Sequence, residues 1–212
     1  MESFSNPLSS KGHRHRGQPV TPKIADSHIS GTNERLVREC CKGNEAAWSA
    51  LIDKYKNLIF SIPIKFGLPR EDAADIFQAV CLDLLSSLPQ LREPDALPKW
   101  IMQTTYHKCL RTKKQGLTLS GDLSDAEPEQ ADSAELPEAM LHQLQREQML
   151  RDAITALPPR CRNMIHQLFF EDPPRPYNEV AKSLGLATGS IGFIRGRCIK
   201  RLREELEERG LP

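Results

Sequence analysis

From Glu34 onward the apolar residues recur at intervals of three and four, the spacing of one buried face of an α-helix. Leu36, Val37 and Cys40 open the pattern, Gly43 breaks it, and Asn44 is placed to cap a long helix carrying Trp48, Leu51, Ile52, Tyr55, Leu58, Ile59 and Ile62. Pro63 should kink that helix near its end, and Gly67 should stop it. Residues 69 to 88 predict a third helix with Pro69 and acidic residues in its first turn, and Ala73, Ile76, Phe77, Val80, Cys81, Leu84 and Leu88 on one face. A fourth runs from about Asp95 or Pro98 to Gln115, with Trp100 and Ile101 at its start. The spacing returns with Leu150, Ala153, Ile154 and Leu157, breaks at Pro158 and Pro159, and resumes with Cys161, Met164, Ile165, Leu168 and Phe169. From Tyr177 to Leu206, Val180, Ala181 and Leu184 form a short stripe, Gly185 supplies a turn, and Ile191, Ile194, Cys198, Leu202 and Leu206 restart it. That is the layout of a helix-turn-helix, with Thr188 or Ser190 as cap of the second helix. No strand-like alternation occurs, so the pattern predicts an all-α chain of two small helical domains.

The stretches without an apolar period set the boundaries. Residues 1–32, rich in Ser, Pro, Gly and His, read as a disordered tail. Residues 116–146 read as a flexible acidic linker, because Asp122, Asp125, Glu127, Glu129, Asp132, Glu135 and Glu138 gather there without a Lys or Arg among them. The domains expected on either side are 33–115 and 147–212.

Composition narrows the function classes. The formal net charge is only +1, so a nucleic-acid surface has to be local. Six cysteines without CxxC spacing, most on apolar stripes, point to buried thiols in a reducing cytoplasm. No run has the apolar length that a bilayer crossing needs and no signal-peptide core is present, so a soluble cytoplasmic protein without membrane insertion is expected. His13 to Arg16, HRHR, lack the Cys or carboxylate partners of a metal site. Cys40, Cys41, His107 and His166 stand at no spacing that joins a nucleophile to a base. Neither catalysis nor a cofactor is expected.

Three polar surfaces remain. On the third helix Asp72, Asp75, Ala79 and Asp83 fall opposite the apolar face, a row open to a basic partner. On the fourth, Trp100, His107, Arg111 and Lys114 share a stripe, and Tyr106, Lys108 and Lys113 add to an aromatic-flanked basic surface suited to unstacked bases and phosphates. In the helix-turn-helix, Ser190, Gly192, Phe193, Arg195, Arg197, Lys200 and Arg201 lie off the apolar stripe, small or cationic groups able to approach a major groove.

These residues, in this order, resemble a bacterial RNA polymerase sigma factor of the extracytoplasmic-function type, which keeps only regions two and four of the sigma-70 family. LVRECCKGNEAAWSALIDKY resembles the opening of region two, PREDAADIFQAVCLDLL its next helix, and LPKWIMQTTYHKCLRTKK the promoter-melting segment. ALPPRCRNMI and YNEVAKSLGLATGSIGFIRGRCIKRLREEL resemble region four. The resemblance covers residues 34–115 and 147–207. It implies that Asp72, Asp75 and Gln78, with Asp83 in the acidic row, face the clamp coiled coil of core RNA polymerase. It further implies that Trp100 holds the melted strand of the minus-ten element, with His107, Lys108, Arg111 and Lys114 on nearby promoter DNA. Ser190, Gly192, Phe193, Arg195 and Arg197 would lie in or beside the major groove of the minus-thirty-five element, and Lys200 and Arg201 on its phosphates. The family also leaves room for an anti-sigma factor as an inhibitory partner. Ala79 stands where many relatives carry Glu, and His107 where many carry Asn. A plain helix-turn-helix regulator would account for residues 177–206 alone.

Overall fold

The computed structural model describes residues 32–119 and 134–211, and the regular elements among them are all helical. Helix α1 spans Asn33–Cys41, α2 Glu45–Lys65, α3 Arg70–Ser87 and α4 Leu97–Leu119. After the acidic cluster, α5 spans Glu138–Ala156, α6 Pro159–Phe169, α7 Tyr177–Ser183 and α8 Ile191–Glu208. Single 3-10 turns occupy Leu88–Gln90, Pro94–Ala96 and Thr188–Ser190. Residues 1–31 of the expected N-terminal tail and the acidic residues from Asp122 to Asp132 lie outside the described residues.

Local chemistry sets the ends of α2. The Asn44 side-chain oxygen accepts hydrogen bonds from the amides of Ala46 and Ala47 at 3.0 and 3.2 Å, satisfying two of the donors that a helix start leaves open. Gly67 closes the far end at φ +73°, a conformation that a Cβ would strain. Between them α2 runs past Pro63, whose ring is buried, to Lys65.

Helix α2 is the spine of the first core. Leu51, Leu58, Ile59 and Ile62 have no exposed surface, and α1, α3 and α4 close over them with Leu36, Val80, Leu84, Ile101 and Met102. Truncating such a residue to Ala costs about 2–5 kcal/mol. The buried Tyr55 hydroxyl donates to Asn33 Oδ1 at 2.7 Å, and burial pushes its pKa up, which keeps the proton needed for that bond. A second core forms from Leu157, Cys161, Met164, Ile165, Val180, Ala181, Ile191 and Cys198, joining α6, α7 and α8.

Helix α5 joins both cores, and here the expected linker needs correction. It begins at Glu138 rather than after residue 146, with Leu136 and Leu144 buried in the first core and Met140 and Leu141 packed against it. Its other end supplies Ile154 to the second core, followed by Leu157. Gln148, 4% exposed, fastens the middle: its Nε2 donates to the Lys54 carbonyl at 3.3 Å and to Asp152 Oδ1 at 2.9 Å. The apolar spacing at Met140, Leu141 and Leu144 is helical, but the acidic composition around it masks the signal.

The cysteines also differ from expectation. Cys40, Cys41, Cys81 and Cys109 are free, whereas Cys161 and Cys198 form a disulfide with Cα atoms 5.2 Å apart. The two sulfurs meet because each lies on the apolar stripe of a helix, α6 and α8, that packs on the other. Spacing rules for paired cysteines are blind to such a contact across 37 positions. Cys41 is exposed rather than buried, while burial raises the Cys40 pKa to about 11 and the Cys109 pKa to about 12, leaving both thiols protonated and inert. No helix among the described residues is long and apolar enough to cross a membrane.

Candidate functional site

The solvent row of α3 is rotated from the one that the sequence suggests. Asp75 and Gln78 are exposed, and the row continues not to Ala79 and Asp83 but to Leu82 and Leu85, which are 66% and 53% exposed. Asp72 and Ala79 are half-buried. Asp83 turns toward α4, where its Oδ2 meets Lys108 Nζ at 2.7 Å. Two residues expected to serve different partners therefore neutralise each other. Lys108, with 19% of its side chain exposed, ties α3 to α4 instead of standing as the open surface cation that the sequence suggests. Beside this row Phe60 and Phe77 stack with ring centroids 4.7 Å apart.

On α4 the aromatic-basic surface resolves into a core side and an outer stripe. Tyr106 is 8% exposed and meets Phe66 edge-on at 5.4 Å, so it belongs to the core rather than to the expected surface. Lys113 lies over the same Phe66 ring at 5.4 Å, a cation–π contact. Trp100 is half-buried against the first core, Arg111 is exposed, and Lys114 is half-buried. His107 does not point outward unengaged. Its Nε2 lies 2.7 Å from Gln103 Nε2 and 2.8 Å from the carbonyl of Ala134, and the Leu136 amide donates to Gln103 Oε1 at 3.1 Å. That amide fixes the orientation of Gln103, so Gln103 Nε2 donates to the Ala134 carbonyl at 2.8 Å, and His107 Nε2 sits at hydrogen-bond distance from both of these groups. Gln103 carries no charge and no aromatic ring, so only its spacing from Trp100 and His107 could have marked it in the sequence.

Helices α7 and α8 have the helix-turn-helix arrangement. Gly185, at φ +64°, ends α7, and the Leu186 amide returns to the Ala181 carbonyl at 2.8 Å. Val180, Ala181, Ile191 and Cys198 are buried, while Leu184, Ile194 and Leu202 pack against them. Neither proposed cap is made: Thr188, Gly189 and Ser190 form the 3-10 turn that leads into α8, without a side-chain hydrogen bond to the helix start. Gly189 is thus outside α8.

The outer face of α8 carries Gly192, Phe193, Arg195, Arg197, Lys200 and Arg201, all exposed, with Ser190 exposed just before it. Arg195 donates to the Tyr177 hydroxyl and lies over that ring at 5.7 Å, while Arg197 lies over Phe193 at 5.9 Å. Phe193 is itself 72% exposed. Lys200 approaches Glu204 only at 3.8 Å, both side chains being largely exposed. A Cβ built at Gly192 or Gly196 would meet nothing within 4 Å, so no packing among the described residues calls for glycine at either position. Positive charge gathers in the first half of the helix, and Glu204, Glu205, Glu207 and Glu208 make the second half acidic.

An all-helical protein with a helix-turn-helix unit and an aromatic and cationic outer face is what the fold and these surfaces define. No family model matches the chain, and no curated protein matches it. Among solved structures it is similar to CnrH, determined in complex with the cytosolic domain of CnrY. The alignment covers 83% of this chain and 97% of that one at 19% identity, with a TM-score of 0.34. A likeness of that degree decides neither fold nor function. The described residues hold no group of three or more His, Cys, Asp or Glu able to bind a metal ion.

Proposed function

We propose that this protein is a sigma factor of the extracytoplasmic-function type, which binds core RNA polymerase, directs it to promoters and helps to separate the DNA strands. The observation that carries the reading is the division of labour in α8: its apolar stripe is consumed by the second core, leaving small, aromatic and cationic residues facing solvent. Asp75, Gln78, Leu82 and Leu85 would meet the clamp of the polymerase, charge and apolar surface together. Trp100, Arg111 and Lys114 would serve the melted strand, stabilising an extruded base by stacking rather than by chemistry. Core polymerase and promoter DNA are thus the proposed partners, and an anti-sigma factor a further one. The domain assignments follow the same reading, with region two in residues 33–115 and region four in residues 147–212.

A second reading has one observation in its favour. Asp83 and Lys108 satisfy each other and His107 is engaged internally, so the first helical unit presents fewer ligands than the sequence suggests, whereas the helix-turn-helix is intact. A helix-turn-helix regulator that does not bind core polymerase would have this profile. Purification with added core polymerase separates the two: co-elution and promoter-directed transcription support the sigma reading, and DNA binding without co-elution removes it.

A further inference from the structure

Gln103 lies three residues beyond Trp100 and four before His107, so it completes the stripe proposed for melted DNA. The chain leading into α5 lies across this part of the stripe. Ala134 accepts from Gln103 on its carbonyl, with His107 Nε2 2.8 Å from the same oxygen, and the Leu136 amide donates to the Gln103 oxygen. The Leu136 side chain, 7% exposed, anchors the crossing in the first core. The Gln103 amide is therefore already satisfied by backbone of the same chain, and His107 is held against it. We propose that residues 134–137 are an intramolecular cover over the α4 stripe, which competes with single-stranded nucleic acid for Gln103 and His107. This rests on the DNA role proposed for α4.

Such a cover can open by itself. Glu135 and Pro137 are exposed and Ala134 is half-buried, so Leu136 is the single buried side chain of the four. Helix α5 has its own anchors, Leu144 in the first core, Gln148 on the Lys54 carbonyl and Glu147 on Lys65, and it can stay docked while the crossing lifts. DNA that binds only the uncovered form sees its affinity reduced by the uncovered fraction. If the cover is closed about nine-tenths of the time, release tightens binding about tenfold.

The test uses the full chain with a fluorescein-labelled single-stranded DNA oligonucleotide of mixed sequence, read by anisotropy. Leu136→Ser removes the anchor without adding charge and should tighten binding about tenfold. In the unsubstituted protein, the Leu136 amide should exchange its hydrogen faster when the oligonucleotide is added. Arg111→Ala, on the same stripe, serves as the control for DNA contact. If Leu136→Ser binds no more tightly while Arg111→Ala weakens binding in both backgrounds, the cover is refuted and the DNA role of α4 stands. If Arg111→Ala is silent in both, the DNA role falls and the cover falls with it. Should Leu136→Ser lose helical circular dichroism, Leu136→Ala, which shortens the same anchor without adding a polar group, is read by the same criteria.

Discussion

Arg197 and Lys200 are one turn apart on α8, yet their surroundings differ: Arg197 lies over the exposed Phe193 ring, whereas Lys200 stands nearly alone, 80% exposed. A planar guanidinium oriented by a ring is suited to a base edge, and a solvated ammonium to a phosphate. Arg197→Ala should relax promoter preference at a cost of roughly 1–3 kcal/mol. Lys200→Ala should weaken all sequences alike and lower the salt slope of binding by about one. A salt series on matched and scrambled duplexes decides, and identical losses on both would reduce α8 to an electrostatic anchor. A similar contrast divides the carboxylates of α3. Asp75→Lys should reduce capture of core polymerase with thermal stability unchanged. Asp83→Asn should instead lower stability by about 1 kcal/mol, because it leaves the partly buried Lys108 without its carboxylate.

Among the elements, α8 carries an unexplained cost. Gly196 sits inside the helix with open space where a Cβ would be, and glycine there is about 1 kcal/mol less favourable than alanine. Gly196→Ala should therefore raise the melting temperature; if the glycine serves close backbone approach to a duplex, the same variant should bind DNA more weakly. A stabilised variant with undiminished affinity would remove that role. The elements themselves were legible, because α1 to α4 and α6 to α8 bury stripes whose spacing repeats every three or four residues. The orientation of α3 was not: Asp72 and Asp83 are polar and lie only partly inward, while Leu82 and Leu85 are apolar and lie outward, so polarity alone set the row about one residue off. Contacts between distant segments, such as Asp83 with Lys108 or Gln103 with residues 134 and 136, leave no periodic trace at all.

In the whole molecule α5 is the strut between two cores, and its hold on α2 depends on pH. Burial works against the Glu147 carboxylate, but hydrogen bonds from Lys65 and Gln143 outweigh it and hold its pKa below the ordinary range. A carboxylate depressed by folding stabilises the native state above its unfolded pKa of about 4.3, and that contribution is lost as pH falls through the folded value. Hydrogen exchange of the α5 amides should therefore quicken below about pH 4 beyond the intrinsic rate, and Glu147→Gln should flatten the dependence. The disulfide acts elsewhere, within the second core. Closing a loop of 37 positions, it should contribute about 3–4 kcal/mol in the chain-entropy account. Cys198→Ala, compared with the unsubstituted protein by denaturant melts without reductant, should show most of that loss.

Because the bridged cysteines lie on α6 and α8, the peptide between them, including all of α7 and the turn at Gly185, is a covalent ring. One protease cut anywhere between Arg162 and Arg197 opens that ring without shedding a fragment, and the cleaved molecule keeps its mass apart from one added water. The nick would be invisible on a denaturing gel run without thiol and would appear as two bands once reductant is added.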